Sequence, residues 1–278
     1  MSILNKKSGL AVVPTLLTLG NGVCGLASIT MATLAREELG ETTAIFCAGM
    51  FIYVGMVFDG LDGYVARLMK ETSQFGAQLD SLCDTVTFTV APVFILLHLA
   101  DVYPYRFRWG IGVLFTLCGL LRLARFNVEQ ATDNAHDWFQ GLPTPAAAGT
   151  LASFAVALPA LHQMVADTAP AASRQLGEQI IVFTKCSLPI LVVALAWLMV
   201  SRIRYPHILS QWARGPWNFF SLVQLMFVAV PLVTVHELAL PLVFSYFALG
   251  RPIAIWMRFV GIRIRGLSTF YRLPRERV

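Results

Sequence analysis

Residues 44–100 read AIFCAGMFIYVGMVFDGLDGYVARLMKETSQFGAQLDSLCDTVTFTVAPVFILLHLA. An apolar run enters, another leaves, and between them stand Asp59, Asp62, Asp80 and Asp84. A carboxylate at membrane depth is costly, so it faces a protein interior or a watery cavity and meets a cation. Asp59 and Asp62 are three residues apart, and Asp80 and Asp84 are four apart. On two helices each pair therefore shares one face. The polar turn KETSQ between them is short, which makes the helices antiparallel neighbours and brings the two faces together near one side of the membrane.

The rest of the chain agrees with a bilayer setting. Of 278 residues, 56% are hydrophobic and 13% charged, and the mean hydropathy is +0.66. That is too apolar for a soluble domain with a polar surface. A spanning helix needs roughly 20 mostly apolar residues, and the sequence supplies about eight such runs. The expected fold is an all-α polytopic membrane protein, a single integral membrane domain over residues 1–278. The N-terminal run after Lys6 and Lys7 is too long for a signal-peptide core and has no convincing cleavage site, so it reads as an anchor. Cys24, Cys47, Cys83, Cys118 and Cys186 form no CxxC pair and are odd in number; free, buried thiols are expected.

In chain order, helices are expected at Leu10–Ala35, Ala44–Met69, Gly76–Ala100, Trp109–Phe126, Ala146–Val165, Ile180–Val200, Phe219–Val235 and Leu238–Trp256. The last two should form a tight hairpin turning at His236 and Glu237. The first helix carries a polar stripe, Pro14, Thr15, Thr18 and Asn21, beside Gly20, Gly22 and Gly25, small residues that let helices approach closely in lipid. Interhelical hydrogen bonding accounts for that stripe as well as a ligand does. Gly141, Pro143 and Pro145 in GLPTPAAAG should prevent a regular helix there.

With the N-terminus inside, 16 of the 21 Lys and Arg residues fall on the inner side, leaving Arg36, Arg106, Arg108, Arg174 and Lys185 outside. This bias predicts cytoplasmic termini and an acidic site facing the cytoplasm. The net charge of +5 and the arginine-rich tail after Arg251 suit anionic lipid headgroups; no nucleic-acid partner is expected. Trp109, Trp138, Trp212 and Trp217 near span ends read as interfacial anchors.

Four convergent carboxylates carry more charge than a partly dehydrated site tolerates without divalent cations, and oxygen ligands favour Mg, Mn or Ca. Two such ions can clamp a pyrophosphate and stabilise both the attacking and the leaving oxygen. Arg67 would offer a phosphate a bidentate charge, while Gly63 and Ala66 leave room for a flat or ribose-bearing group. Phosphoryl transfer from a nucleotide-activated lipid fits these features. On charge alone, a divalent-cation transporter or simple pairing of the acids with Arg67 and Arg122 would fit as well.

The spacing is more specific. Asp59, two residues, Asp62-Gly63, two residues, Ala66-Arg67, eight residues, Gly76, three residues, Asp80, three residues, Asp84 resembles the signature of the CDP-alcohol phosphotransferases at every fixed position. The resemblance implies a six-helix catalytic core, about residues 10–200, with an additional hairpin at about 218–257 and a basic tail at 258–278. It implies that Asp59, Asp62, Asp80 and Asp84 ligate two divalent cations, Mg2+ or Mn2+, with Asp80 and Asp84 catalytic and Asp84 the general base. Asn21, Asp62, Gly63, Ala66, Arg67 and Gly76 would bind the CDP moiety, and a homodimer would be the usual assembly.

Three further stretches, PTLLTLGNGVCG (Pro14–Gly25), RLARFNV (Arg122–Val128) and FQGLPTPAAAG (Phe139–Gly149), resemble the prokaryotic phosphatidylserine synthase branch of that family. The resemblance implies CDP-diacylglycerol and L-serine as substrates, CMP as product and the cytoplasmic (inner) membrane as location. Sister transferases using glycerol phosphate, inositol phosphate or choline are the alternative. Arg122 and Arg125 are candidates for the serine carboxylate or a lipid phosphate, since a guanidinium fork suits either anion, with Asn127 beside them; as inner-face arginines they would equally serve topology. In steady-state kinetics, Arg125→Ala is expected to raise the serine requirement more than the CDP-diacylglycerol requirement. An unchanged serine dependence removes Arg125 from the acceptor site.

Overall fold

The computed structural model of the protein describes residues 12–34, 40–69, 74–131, 138–166, 170–206 and 236–259. Six segments among them are long and apolar enough to cross a membrane. They are built from α1 (Val12–Leu34), α2 (Glu41–Met69), the run formed by α3 (Gln74–Asp84), a π-helical segment (Thr85–Val90) and α4 (Ala91–Leu99), then α5 (Tyr105–Ala131), α6 (Thr144–Val165) and α7 (Ala171–Val200). A last helix, α8, spans His236–Phe259. The protein is an all-α polytopic membrane protein whose only strands among the described residues are β1 (Trp138–Gln140) and β2 (Arg204–Pro206), paired antiparallel with Phe139 opposite Tyr205.

The α3–α4 run and α6 form the middle of the bundle, and α1, α2, α5 and α7 surround them. The inner faces bear small residues: Ala147, Ala148, Ala152 and Ala155 of α6 are wholly buried, as are Ala48 and Ile52 of α2. Outward faces carry Leu16, Val23, Val57, Leu121, Phe183 and Ile190, exposed as lipid-facing residues should be. Lipid tails are as apolar as the helices, so close packing of small residues does the work that the hydrophobic effect does in water. A Cβ at Gly49 would stand 2.9 Å from the Ala152 carbonyl oxygen and 2.9 Å from Ala155 Cβ, so α2 and α6 meet almost backbone to backbone. Phe244 brings α8 onto α6 over Gly149, with its ring 5.5 Å from that of Tyr53, whose hydroxyl donates to the Gly149 carbonyl at 3.0 Å.

Several expectations change. The third span is not a regular helix: a π-helical segment interrupts it directly after Asp84. Within the run, Thr89 donates its hydroxyl to the Thr85 carbonyl at 2.5 Å and Thr85 to the Ser81 carbonyl at 2.8 Å, while Thr87 donates across to the Asn21 carbonyl of α1. The sixth span starts at Ala171 rather than Ile180, because Pro170 caps it and the polar residues that follow continue the helix beyond the apolar run. The fourth starts at Tyr105 and ends at Ala131, for the same reason.

In GLPTPAAAG the helix begins at Thr144, with Pro143 at its cap and Pro145 in the first turn, where proline's missing N–H has no intrahelical partner to lose. Gly141 takes φ of +82°, and a Cβ there would lie 2.4 Å from the Met199 carbonyl oxygen; only glycine suits that corner. His236 and Glu237 open α8 instead of forming a turn; the expected helix at Phe219–Val235 lies outside the described residues, as does the basic tail beyond Phe259, the tail's first two residues being the end of α8. All five cysteines are free, but Cys186 is exposed and Cys47 and Cys118 half-buried; only Cys24 and Cys83 are buried.

The tight α2–α6 crossing gives a stability prediction. Gly49→Val should force the two helices apart and lower stability by about 1–3 kcal/mol. Gly110→Ala, where a Cβ meets nothing within 4 Å, should leave the thermal unfolding temperature in detergent unchanged or slightly higher.

Candidate active site

The site gathers at one end of the bundle, where α1 begins, α2 ends, α3 begins, α5 ends and α6 begins. Asp59, Asp62 and Asp80 each turn a carboxylate oxygen into a cluster whose members all lie within 4.8 Å of one another. Unrelieved, two carboxylates at such a separation repel by roughly 3 kcal/mol at an effective dielectric constant near 20. Asp62 is buried, Asp59 and Asp80 half-buried. Asp84, one turn beyond Asp80 on α3, stands outside this trio but within electrostatic range of all three. It is 8% exposed.

Helix α1 reaches both acidic helices. Thr18 Oγ1 donates to Asp62 Oδ2 at 2.8 Å, and Asn21 Nδ2 donates to Asp84 Oδ1 at 2.9 Å. Asn21 Oδ1 is buried without a hydrogen-bond partner among the described residues, and so is Asp80 Oδ1. A buried carboxylate oxygen with no donor, on a residue clustered with two other acids, is what a divalent cation would satisfy. Gly60 and Gly63 border open space, since a Cβ at either would meet nothing within 4 Å. The α2 backbone is thus accessible beside the acids, as a ligand lying against it requires. Gly76 is in the first turn of α3 and half-buried. The side chains of Ala66 and Arg67 lie outside the described ones.

On the opposite wall, α5 presents Arg122, Arg125 and Asn127, which differ in environment. Arg122 is buried, donates from Nη1 to Thr144 Oγ1 at 3.2 Å, lies 5.7 Å from the Phe126 ring centroid and is within electrostatic range of Asp59. Arg125 donates from Nη1 to the Val200 carbonyl at 3.1 Å, so part of its guanidinium holds the C-terminal end of α7, a favourable place for a cation. Asn127 pairs with Ser81, the residue after Asp80, through contacts of 2.9 and 3.1 Å.

Sequence reasoning passed over Ser81, Thr87 and Thr144, and set Thr18 only within the polar stripe that the resemblance placed beside the nucleotide, with no acid as its partner. Thr18 lay in the visible polar stripe and Thr144 in a quoted stretch; Ser81 and Thr87 gave no signal among ordinary helix residues.

A membrane helix bundle that sets aspartates of two facing helices beside an open, glycine-lined backbone, with a buried arginine opposite, has the groups to hold a divalent cation next to a phosphate. A family model described as CDP-alcohol phosphatidyltransferase matches residues 11–217, and the chain belongs to that family. It is 31% identical over 218 residues to the CDP-diacylglycerol–serine O-phosphatidyltransferase of Bacillus subtilis, covering 74% of this chain and 98% of the relative. It is 30% identical over 255 residues to the Helicobacter pylori protein of the same name, covering 92% and 94%. A Methanocaldococcus jannaschii protein, again of that name, is 43% identical over 103 residues, 37% of this chain and 47% of the relative.

Because Asp80 belongs to the cluster and also carries a buried oxygen without a hydrogen-bond partner among the described residues, Asp80→Asn should weaken Mn2+ binding most directly. Saturating Mn2+ at about 100 times its dissociation constant should stabilise the wild type by about 2.7 kcal/mol, and the variant should lose most of that shift in thermal unfolding with and without metal.

Proposed function

We propose that the protein is a phosphatidylserine synthase, transferring the phosphatidyl group of CDP-diacylglycerol to the hydroxyl of L-serine and releasing CMP. The observation that carries this is the convergence of Asp59, Asp62 and Asp80 beside the open backbone of Gly60 and Gly63, in a chain nearly coextensive with relatives that bear the serine-specific name. A transporter would have no use for a glycine-lined opening next to acids spaced in this way.

Asp59, Asp62, Asp80 and Asp84 would hold two divalent cations, Mg2+ or Mn2+. When bound, these neutralise the pyrophosphate and polarise the phosphorus. The CDP moiety lies along α2 at Gly63, with Asp62, Ala66, Arg67 and Gly76 around it and Asn21 approaching from α1. Asn21 occupies Asp84 Oδ1, which leaves Oδ2 to take the proton of the serine hydroxyl. The serine oxygen then forms a bond to the phosphorus nearer the diacylglycerol, the bond from that phosphorus to the bridging oxygen breaks, and the electron pair leaves with CMP. Preorganised charge supplies most of the acceleration. Arg122 and Arg125, with Asn127, face the serine carboxylate or the lipid phosphate; Arg122, buried and in electrostatic range of Asp59, is the better placed of the two arginines.

The same reading makes residues 1–278 one integral membrane domain, working as a homodimer in a prokaryotic inner membrane with its site toward the cytoplasm. The excess of Lys and Arg on that side supports the orientation.

Purified protein with CDP-diacylglycerol, Mn2+ or Mg2+ and a panel of labelled alcohols provides the test. Serine-dependent CMP release is expected, with a loss of several orders of magnitude in Asp84→Asn. CMP release with another alcohol instead would overturn the acceptor, and equal activity in the variant would remove Asp84 as base.

A further inference from the structure

Helix α1 carries no acid of its own, yet it is the element that touches both acidic helices at their carboxylates. Thr18, 5% exposed, donates to Oδ2 of Asp62 on α2, and Asn21, with no exposure at all, donates to Oδ1 of Asp84 on α3. One side chain serves each helix, each engaging one carboxylate oxygen, and the Gly63 backbone also hydrogen-bonds to Asp62. The Thr18 hydroxyl also lies 3.0 Å from the Pro14 carbonyl. It has one proton for two acceptors, and the charge-assisted bond to the carboxylate is the stronger.

The α1 backbone is locked in place at the same level. A Cβ at Gly22 would stand 3.0 Å from Cys83 Sγ, and one at Gly25 would stand 2.8 Å from Thr87 Cα. Gly55 of α2 lies so close that its Cβ would be 3.0 Å from Asn21 Oδ1. Thr87, in the π-helical segment, donates to the Asn21 backbone carbonyl at 2.8 Å. Neither Thr18 nor Asn21 can therefore follow a carboxylate that rotates away; the carboxylate must conform to them.

From this geometry we infer that Thr18 is a positioning residue for the reaction, acting with Asn21 as a brace that sets the rotamers of Asp62, within the cluster it forms with Asp59 and Asp80, and of Asp84 one turn beyond it. The inference rests on the reading of these acids as a divalent-metal site. Outer hydrogen bonds to metal-ligating carboxylates fix ligand orientation, and removing one typically weakens metal affinity about 10–100-fold. Thr18 contributes such a bond through Asp62.

The experiment titrates Mn2+ into purified wild type, Thr18→Val, Thr18→Ser and Thr18→Ala, following the free-ion electron paramagnetic resonance signal, with thermal unfolding in EDTA alongside. Valine keeps the shape of threonine and removes the donor; serine keeps the donor. The expected result is Mn2+ binding about 10–100-fold weaker in Thr18→Val, restoration in Thr18→Ser, and metal-free unfolding close to wild type. Should the valine variant fail to fold, Thr18→Ala carries the same comparison with a smaller side chain. Mn2+ affinity equal to wild type in the donor-less variant overturns the inference and leaves the metal reading standing. A wild type that binds no Mn2+ overturns the metal reading, and the inference falls with it.

Discussion

Carboxylates held together inside an apolar bundle repel one another and have lost most of their water, and much of the surrounding structure is arranged to hold them in that state. Among the described residues, Asp59, Asp62 and Asp80 bring oxygens within 4.8 Å of each other, a geometry that side chains free to rotate would abandon. Three features oppose that drift. Helix α1 fixes Asp62 and Asp84 through Thr18 and Asn21. The pair Ser81–Asn127 ties the turn carrying Asp80 to α5. Arg122, itself buried and oriented by Thr144, supplies opposite charge within range of Asp59. A cluster held in this way is preorganised for cations, since the repulsion is already built into the folded chain and binding relieves it.

Those polar contacts can form only because the helices come unusually close. Gly25 of α1, Gly55 of α2 and Gly119 of α5 each abut the π-helical segment, where a Cβ would fall within 3 Å of Thr87 or Thr89. Three glycines on three helices thus surround a segment whose hydrogen-bond pattern departs from α-helical. Its extra backbone width would clash with ordinary side chains, and its threonine hydroxyls donate to backbone carbonyls. Such segments concentrate at functional sites. Here it follows Asp84 immediately and hands a hydrogen bond to Asn21, the residue that holds Asp84. Packing and chemistry therefore meet in the same few residues.

The far side of the site depends on the corner between α5 and α6. Gly141, with positive φ, lets the chain pass against the end of α7, and the β1–β2 pair closes that corner. Arg125 grips the Val200 carbonyl there. Together these contacts set the start of α6, and so the position of Thr144 and the guanidinium of Arg122.

The first six spans, their order and the acidic hairpin were legible in the sequence, because apolar run length and three- and four-residue spacing are local properties that a bilayer turns directly into helices with shared faces. The signature from Asp59 to Asp84 named its ligand candidates for the same reason: fixed spacing on two adjacent helices leaves little freedom. The π-helical segment was not legible, since TVTFTV reads as plain apolar helix until glycines from three other helices press on it. Nor were the partners of Thr18, Asn21, Ser81 and Thr144, which lie between 22 and 63 residues away along the chain. The sequence by itself determined which residues are acidic, which are small and which helices they occupy. Only the tertiary structure decided which oxygen Thr18 and Asn21 each take, because a hydrogen bond reaches about 3 Å and that proximity exists only once the helices are packed.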